Sequence, residues 1–194
     1  SMCNSYEHTI VITNRSLVHG DFLKQLEKVT RLHPHALILR EKDLTDEAYE
    51  ALAKKVLDLC QREGVTCFLQ TKPSIARRLG CKNMHLSIPV LKGLQESDKK
   101  TLKKDFQNLS VSCHSMEDVK TAVKSGATQI VLGTIFETEC KKGLPGKGVD
   151  FVREICQSCP LPVYAIGGIN EKRLAEVMDA GAAGGCMMSG FMRL

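Results

Sequence analysis

Eight short apolar runs recur along this chain of 194 residues, and polar or amphipathic stretches separate each from the next. They cover residues 8–14 (HTIVITN), 36–40 (ALILR), 66–70 (TCFLQ), 83–87 (NMHLS), 109–113 (LSVSC), 129–136 (QIVLGTIF), 162–167 (PVYAIG) and 184–189 (GGCMMS). Most are continuously apolar rather than alternating, which predicts strands covered on both faces, as in a parallel sheet flanked by helices. The intervening stretches carry helical periodicity. Over 46–63, Ala48, Leu52, Val56 and Leu59 recur at three- and four-residue steps behind a Thr45-Asp46 cap. Over 171–180, Leu174, Val177 and Met178 repeat the pattern, and Gly181 follows as a terminator.

Eight strands alternating with helices predict an α/β (β/α)8 TIM barrel forming a single domain over residues 1–194, compact at about 24 residues per unit. A doubly wound open sheet, the rival, more often has five or six strands and carries its glycine-rich phosphate turn after the first. Here the first run ends in Thr13-Asn14-Arg15 and the glycines cluster late. Five residues follow the eighth run. The last outer helix is therefore expected to be missing, with one flank open or covered by something else.

With 43% hydrophobic and 25% charged residues, the composition is that of a soluble globular protein rather than a disordered or fibrous one. No apolar run approaches the roughly 20 residues of a membrane span, and residues 1–4 (SMCN) lack a charged-then-apolar leader pattern. Nine cysteines, an odd number irregularly spaced, point to reduced thiols in a cytoplasmic setting rather than a disulfide framework. The lone CxxC at Cys156-Gln157-Ser158-Cys159 has neither a second pair nor matching histidines, so no metal site is expected there. A net charge of +5 spread along the chain, no Trp and 5% aromatic residues leave no platform for nucleic acid and fit small anionic ligands instead. Neither a membrane nor a nucleic acid is expected as a partner, and a homo-oligomer stays open.

In such a barrel the site lies at the C-terminal ends of the strands. Those ends bring Arg40-Glu41-Lys42, Gln70-Thr71-Lys72, His85, Ser112-Cys113-His114-Ser115, Gly167-Gly168 and Ser189-Gly190 to one face. Glycine turns after strands 7 and 8 predict a phosphate cradle of free backbone N–H groups, although tight turns alone would also use glycine. Residues 137–148 form a long connection bearing Lys141, Lys142 and Lys147, readable as a lid over an anion or as a solvated loop. His114 is the candidate general acid–base group, the alternative being a hydrogen-bonded structural histidine. His85 is expected near the rim in a packing role, and His8, His19, His33 and His35 lie away from that face. At least one of Arg40 and Lys42 should face the mouth, Arg40 being suited to a bidentate grip on carboxylate or phosphate. No acid pair suited to Mg²⁺ stands at the strand ends.

Several stretches resemble the thiamine phosphate synthase/TenI family: Val111-Ser112-Cys113-His114-Ser115-Met116-Glu117-Asp118, Phe136-Glu137-Thr138-Glu139-Cys140-Lys141-Lys142-Gly143, Ala165-Ile166-Gly167-Gly168-Ile169 and Met188-Ser189-Gly190. Leu39-Arg40-Glu41-Lys42 and Met84-His85-Leu86 are similar to the family's second- and fourth-strand signatures. The resemblance is strong over 109–190 and loose over 8–90. The synthases of that family join a pyrimidine pyrophosphate to a thiazole phosphate with Mg²⁺. An Asn-Asp pair closing strand 3 and a Gly-Gln-Glu-Asp run after strand 4 hold the metal. Here those positions read Gln70-Thr71 and Ser87-Ile88-Pro89-Val90, without a carboxylate. The TenI-like tautomerases also lack those acids and keep the Phe-Glu-Thr-x-Cys-Lys-Lys-Gly loop.

The resemblance therefore implies a thiazole tautomerase, an isomerase of thiamin biosynthesis acting on a small phosphorylated thiazole with no cofactor. It implies His114 as the proton carrier, with Arg40, Lys42, Gln70 and Lys141 at the mouth. Gly168, Ser189 and Gly190 would bind phosphate, and Thr138 and Gly148 would shape the lid. The alternatives are the synthase itself, which would need Mg²⁺, and a non-catalytic thiazole-phosphate binder.

Overall fold

All eight expected strands form in a computed structural model that describes residues 6–138 and 143–194. They are β1 (Thr9–Ile12), β2 (Ala36–Leu39), β3 (Thr66–Leu69), β4 (Asn83–Ser87), β5 (Asn108–Cys113), β6 (Gln129–Leu132), β7 (Val163–Ala165) and β8 (Gly184–Met187). Each pairs in parallel with its sequence neighbours, and β8 returns to β1, so the sheet is a closed (β/α)8 barrel. Closure removes the exposed sheet edges an open arrangement would have to protect.

Strand periodicity separates two cores. Ile10, Ile12, Ala36, Ile38, Phe68, Val131, Tyr164 and Cys186 point inward and fill the barrel. Their neighbours, among them Val11, Leu37, Leu39, Leu69, Met84, Leu86, Val111 and Leu132, point outward beneath the helices. Continuous apolar runs are required because both sets are buried. The same alternation, carried one step past the apolar rows, delivers polar residues to the mouth.

The outer layer comprises α1 (Phe22–Thr30), α2 (Asp46–Glu63), α3 (Pro73–Arg78), α4 (Ile88–Lys92), α5 (Glu96–Asp105), α6 (Met116–Lys124), α7 (Val149–Ser158), α8 (Glu171–Asp179) and α9 (Ser189–Met192). The α2 helix has the predicted bounds: Thr45 Oγ1 accepts from the Ala48 amide, and Gly64 ends it at φ +71°. By contrast, β6 is shorter than the 129–136 run. Gly133 still donates to Cys113 O at 3.2 Å, and beyond it the chain bonds on the β7 side: Ile135 N donates to Ile166 O at 2.9 Å, and Phe136 N to Gly167 O at 3.1 Å.

The flank after β8 is not left bare. One short turn, α9, buries Phe191 and Met192. Phe191 meets Tyr6 edge-on at 5.5 Å, and Gln25 Nε2 of α1 donates to Phe191 O at 2.8 Å and Leu194 O at 3.3 Å. Two apolar side chains and one amide thus cover the seam between β8 and β1. Among the described residues no helix is long and apolar enough to cross a membrane.

Candidate active site

At the end of β1, the buried Thr13 hydroxyl accepts from the Arg40 amide at 3.0 Å and donates to Glu41 Oε2 at 2.6 Å. Glu41, also buried, takes further bonds from the Arg15 amide at 3.0 Å and Arg15 Nη1 at 2.9 Å. Arg15 reaches on to Asp43 at 3.0 Å, holding that carboxyl below its usual range. A buried carboxylate is tolerable here because three donors, one of them a guanidinium, meet its two oxygens.

The consequence is that Arg15 engages both acids beside the β2 end. Arg40 and Lys42 form no ion pair among the described residues. Both line one cleft beyond the β2 end. The Arg40 charge, followed by burial, pushes the Lys42 pKa down. A cleft of about 540 Å³ opens against them. Two uncompensated, mutually repelling cations beside a cleft favour an anion.

Gln70 extends the row: its amide bonds Leu39 O at 3.2 Å, which sets it beside Arg40. Next comes His85 on β4, and it lies inside the barrel rather than on the rim. It is 2% exposed, with Nδ1 at 2.7 Å from Ser110 Oγ and Nε2 at 2.7 Å from Ser112 Oγ. Burial, then the charges of Arg40 and Lys42, push its pKa down to about 3, so it is neutral at physiological pH.

His114, just beyond β5, is exposed at the mouth. Its amide donates to Asp118 Oδ2 at 2.8 Å, and Lys147 Nζ bonds its carbonyl. Its Nδ1 lies 2.9 Å from Gly133 O. A carbonyl oxygen only accepts, so Nδ1 carries the hydrogen and the neutral ring keeps its lone pair on Nε2. That is the orientation of an imidazole held ready to take a proton.

The opposite arc is built from backbone. Gly167 and Gly168 adopt φ +108° and +65°, and a Cβ on Gly168 would lie 2.9 Å from Phe136 Cβ. Arg173 of α8 fixes this turn: Nη1 donates to Gly168 O at 2.9 Å, and the guanidinium lies over the Phe136 ring at 4.6 Å. Ser189 and Gly190 open α9 next to it, and among the described residues the amides of Gly168, Ser189 and Gly190 donate to no protein acceptor. A Cβ on Gly190 would meet nothing within 4 Å, and its φ is not positive. Local structure does not demand glycine there, whereas close approach of a ligand would. Such free N–H groups suit a phosphate.

The 137–148 connection is tied at its base. Gly143 N donates to Glu137 Oε1 at 3.0 Å, Lys147 N to Thr134 O at 2.9 Å and Gly148 N to Ile135 O at 2.9 Å. Thr138 and Gly148 stand on the two limbs, and Gly148 leads into α7 at φ +84°. Lys141 lies outside the described residues.

Arg40, Lys42, Gln70, His114, Thr138, Gly148, Gly168, Ser189 and Gly190 therefore all stand at the C-terminal end of the barrel. Sequence reasoning missed Arg173, the Thr13–Glu41–Arg15 group, and Ser110 and Gln129 inside the barrel, where Gln129 Nε2 donates to Ser110 Oγ at 3.0 Å. Strand parity could have flagged the last two, since Ser110 is in line with Ser112 and His114. Nothing in the sequence signals Arg173. The CxxC thiols sit at the C-terminal end of α7, where burial raises the Cys156 pKa, the reverse of an activated thiol.

The sequence profile of the thiamine monophosphate synthase family (TMP-TENI) matches residues 9–191. A thiamine-phosphate synthase of Coprothermobacter proteolyticus is 31% identical over 183 residues, covering 92% of this chain and 84% of that one. Another, from Lysinibacillus sphaericus, is 32% identical over 186 residues, with the same shares covered. Among solved structures, a thiamine phosphate pyrophosphorylase from Pyrococcus furiosus superposes with a TM-score of 0.81 at 23% identity, over 97% of this chain and 89% of that one.

Proposed function

This chain belongs to the thiamine monophosphate synthase (TMP-TENI) family, and we propose that within it the protein is a thiazole tautomerase. The reaction aromatises a carboxythiazole phosphate tautomer by moving a proton from ring C2 to the exocyclic carbon. Nε2 of His114 takes the C2 proton, becoming an imidazolium, and delivers a proton to the exocyclic carbon, so composition and charge are unchanged. Gly133 O accepts from Nδ1 throughout and favours the charged intermediate. Arg40 and Lys42 hold the carboxylate with Gln70 beside them, while the amides of Gly168, Ser189 and Gly190 hold the phosphate. Thr138 and Gly148 shape the lid.

The observation that carries this reading is the Nδ1–H of His114, bound to a backbone carbonyl at 2.9 Å, which leaves Nε2 as the base. The relatives' names favour a second reading, the synthase, in which pyrophosphate departs with Mg²⁺. The residues here do not fit that ion. The ends of β3 and β4 offer an amide, hydroxyls and aliphatic groups. Glu41 and Asp43 are taken by Arg15, and the described residues hold no cluster of three metal-ligating side chains.

The test is conversion of the tautomer to its aromatic form by wild type and His114→Ala, with and without a chelator. Chelator-insensitive turnover that falls by about 10²-fold or more in the variant is expected. Pyrophosphate release from the pyrimidine pyrophosphate and thiazole phosphate with Mg²⁺, and no tautomer conversion, would establish the synthase instead. Ligand binding with neither reaction would mark a non-catalytic binder.

A further inference from the structure

The barrel interior holds a polar chain that the reaction does not use directly. Gln129 on β6, Ser110 on β5, His85 on β4 and Ser112 on β5 are linked by contacts of 3.0, 2.7 and 2.7 Å. Ser110 is wholly buried, His85 is 2% exposed and Gln129 8%. Register explains the meeting: His85 is paired with Ser110, and Ser110 with Gln129. Ser112 stands one inward-facing position nearer the mouth, between Ser110 and His114.

Counting hydrogens gives this chain a direction. The Gln129 amide nitrogen can only donate, so Ser110 Oγ accepts from it. The single hydroxyl hydrogen of Ser110 then has one remaining partner among the described contacts, His85 Nδ1. Were Nδ1 protonated instead, Ser110 would accept twice and its own hydrogen would be buried without an acceptor, at a cost protein interiors avoid. With Nδ1 accepting, neutral His85 bears its hydrogen on Nε2 and donates it to Ser112 Oγ. That leaves the hydroxyl hydrogen of half-buried Ser112 free on the mouth side.

We propose that Gln129, Ser110 and His85 are positioning residues forming a one-way donor relay that turns the Ser112 hydroxyl outward as a hydrogen-bond donor to a carboxylate oxygen of the substrate. Arg40 continues the inward row of Ala36 and Ile38, as Ser112 continues that of Ser110, so an acceptor oxygen drawn to Arg40 would face the same barrel mouth as the Ser112 hydroxyl. The substrate-facing half of this proposal rests on the tautomerase reading; the His85 tautomer does not.

The first measurement is therefore the ring-nitrogen NMR spectrum of ¹⁵N-histidine-labelled wild type, with His85 assigned by its loss in His85→Gln. A bare Nδ1 and a protonated Nε2 are expected. The opposite tautomer means the chain runs inward from Ser112 and overturns the relay. The second is the spectrum of Ser110→Ala and the affinity of Ser110→Ala and Ser112→Ala for the aromatic carboxythiazole phosphate and for the same thiazole phosphate without its carboxylate. Ser110→Ala should shift His85 toward the other tautomer, and both variants should bind the carboxylated ligand about tenfold more weakly. The decarboxylated ligand should hardly change. Equal losses on both ligands, or none despite an altered tautomer, overturn the assignment of Ser112 to the carboxylate. Binding is read without turnover, so a failed tautomerase assay leaves these outcomes intact and condemns only the reaction.

Discussion

The two arcs of the barrel mouth are made of different material. From β2 to β5 the rim presents side chains: Arg40, Lys42, Gln70, Ser112 and His114, set by hydrogen bonds beneath them. From β6 to β8 it presents backbone, in the turns at Gly167-Gly168 and Ser189-Gly190. A side-chain arc can carry charge and move protons, and loses that ability when a group is deleted. A backbone arc binds through N–H groups every residue possesses, and fails when a group is added. Substitutions in the two arcs should therefore damage different steps.

The largest separation is expected from His114→Ala. Turnover should drop by about 10²-fold or more while the affinity for the carboxythiazole phosphate, read by calorimetry, stays nearly constant. Loss of affinity instead would erase the distinction between the arcs. Gly168→Val should do the reverse. It forces a branched residue into φ +65°, with its Cβ 2.9 Å from that of Phe136, and strain of this kind costs about 1–3 kcal/mol. Affinity should weaken by about tenfold or more, while the rate from bound substrate is kept.

Gly190→Ala sharpens the contrast. Space and φ allow the methyl group in the free protein, so the melting temperature should hold. Binding of a phosphate-bearing ligand should weaken, and that of a dephosphorylated one should not. A drop in melting temperature would return Gly190 to a purely structural role.

The effect that is smallest at neutral pH, and grows only in acid, concerns the buried imidazole under the side-chain arc. His85 has a folded pKa of about 3 against an ordinary 6.5. Between those values the unfolded chain binds a proton that the folded one does not, so stability rises with pH and is lost as pH falls from about 6.5 toward 3. The contribution is roughly 1 kcal/mol per pH unit across that window. Denaturant titrations should show a shallower acid loss in His85→Gln.

Legibility in the sequence follows the same division. The backbone arc is announced by glycines after the seventh and eighth runs: Gly167 and Gly168 take the positive φ that favours glycine, and Gly190 leaves its backbone open to close approach. Arg40, Lys42, Gln70 and His114 were legible because they close strands. His85 was expected on the rim in a packing role, yet it is an interior hydrogen-bonding group. Its neighbours Ser110 and Gln129 come from two other strands, and only the register of the closed barrel joins them. The Arg173 contact escaped for a similar reason. It spans α8, the β7 turn and Phe136, three segments with no shared periodicity.

One feature of the barrel's closure reaches beyond the site. The turn that offers the Ser189 and Gly190 amides to the mouth also drives Phe191 and Met192 into the core and receives the Gln25 amide from α1. Under the proposed phosphate role, ligand capture and the sealing of the β8–β1 seam share four consecutive residues. A bound phosphate would hold that turn in its closed form and tax any opening of the seam by the free energy of binding. Amide exchange at β1 and β8 should accordingly slow on ligand addition more than exchange at β4, across the barrel. The anion would act there as a latch on the fold as well as a handle on the substrate.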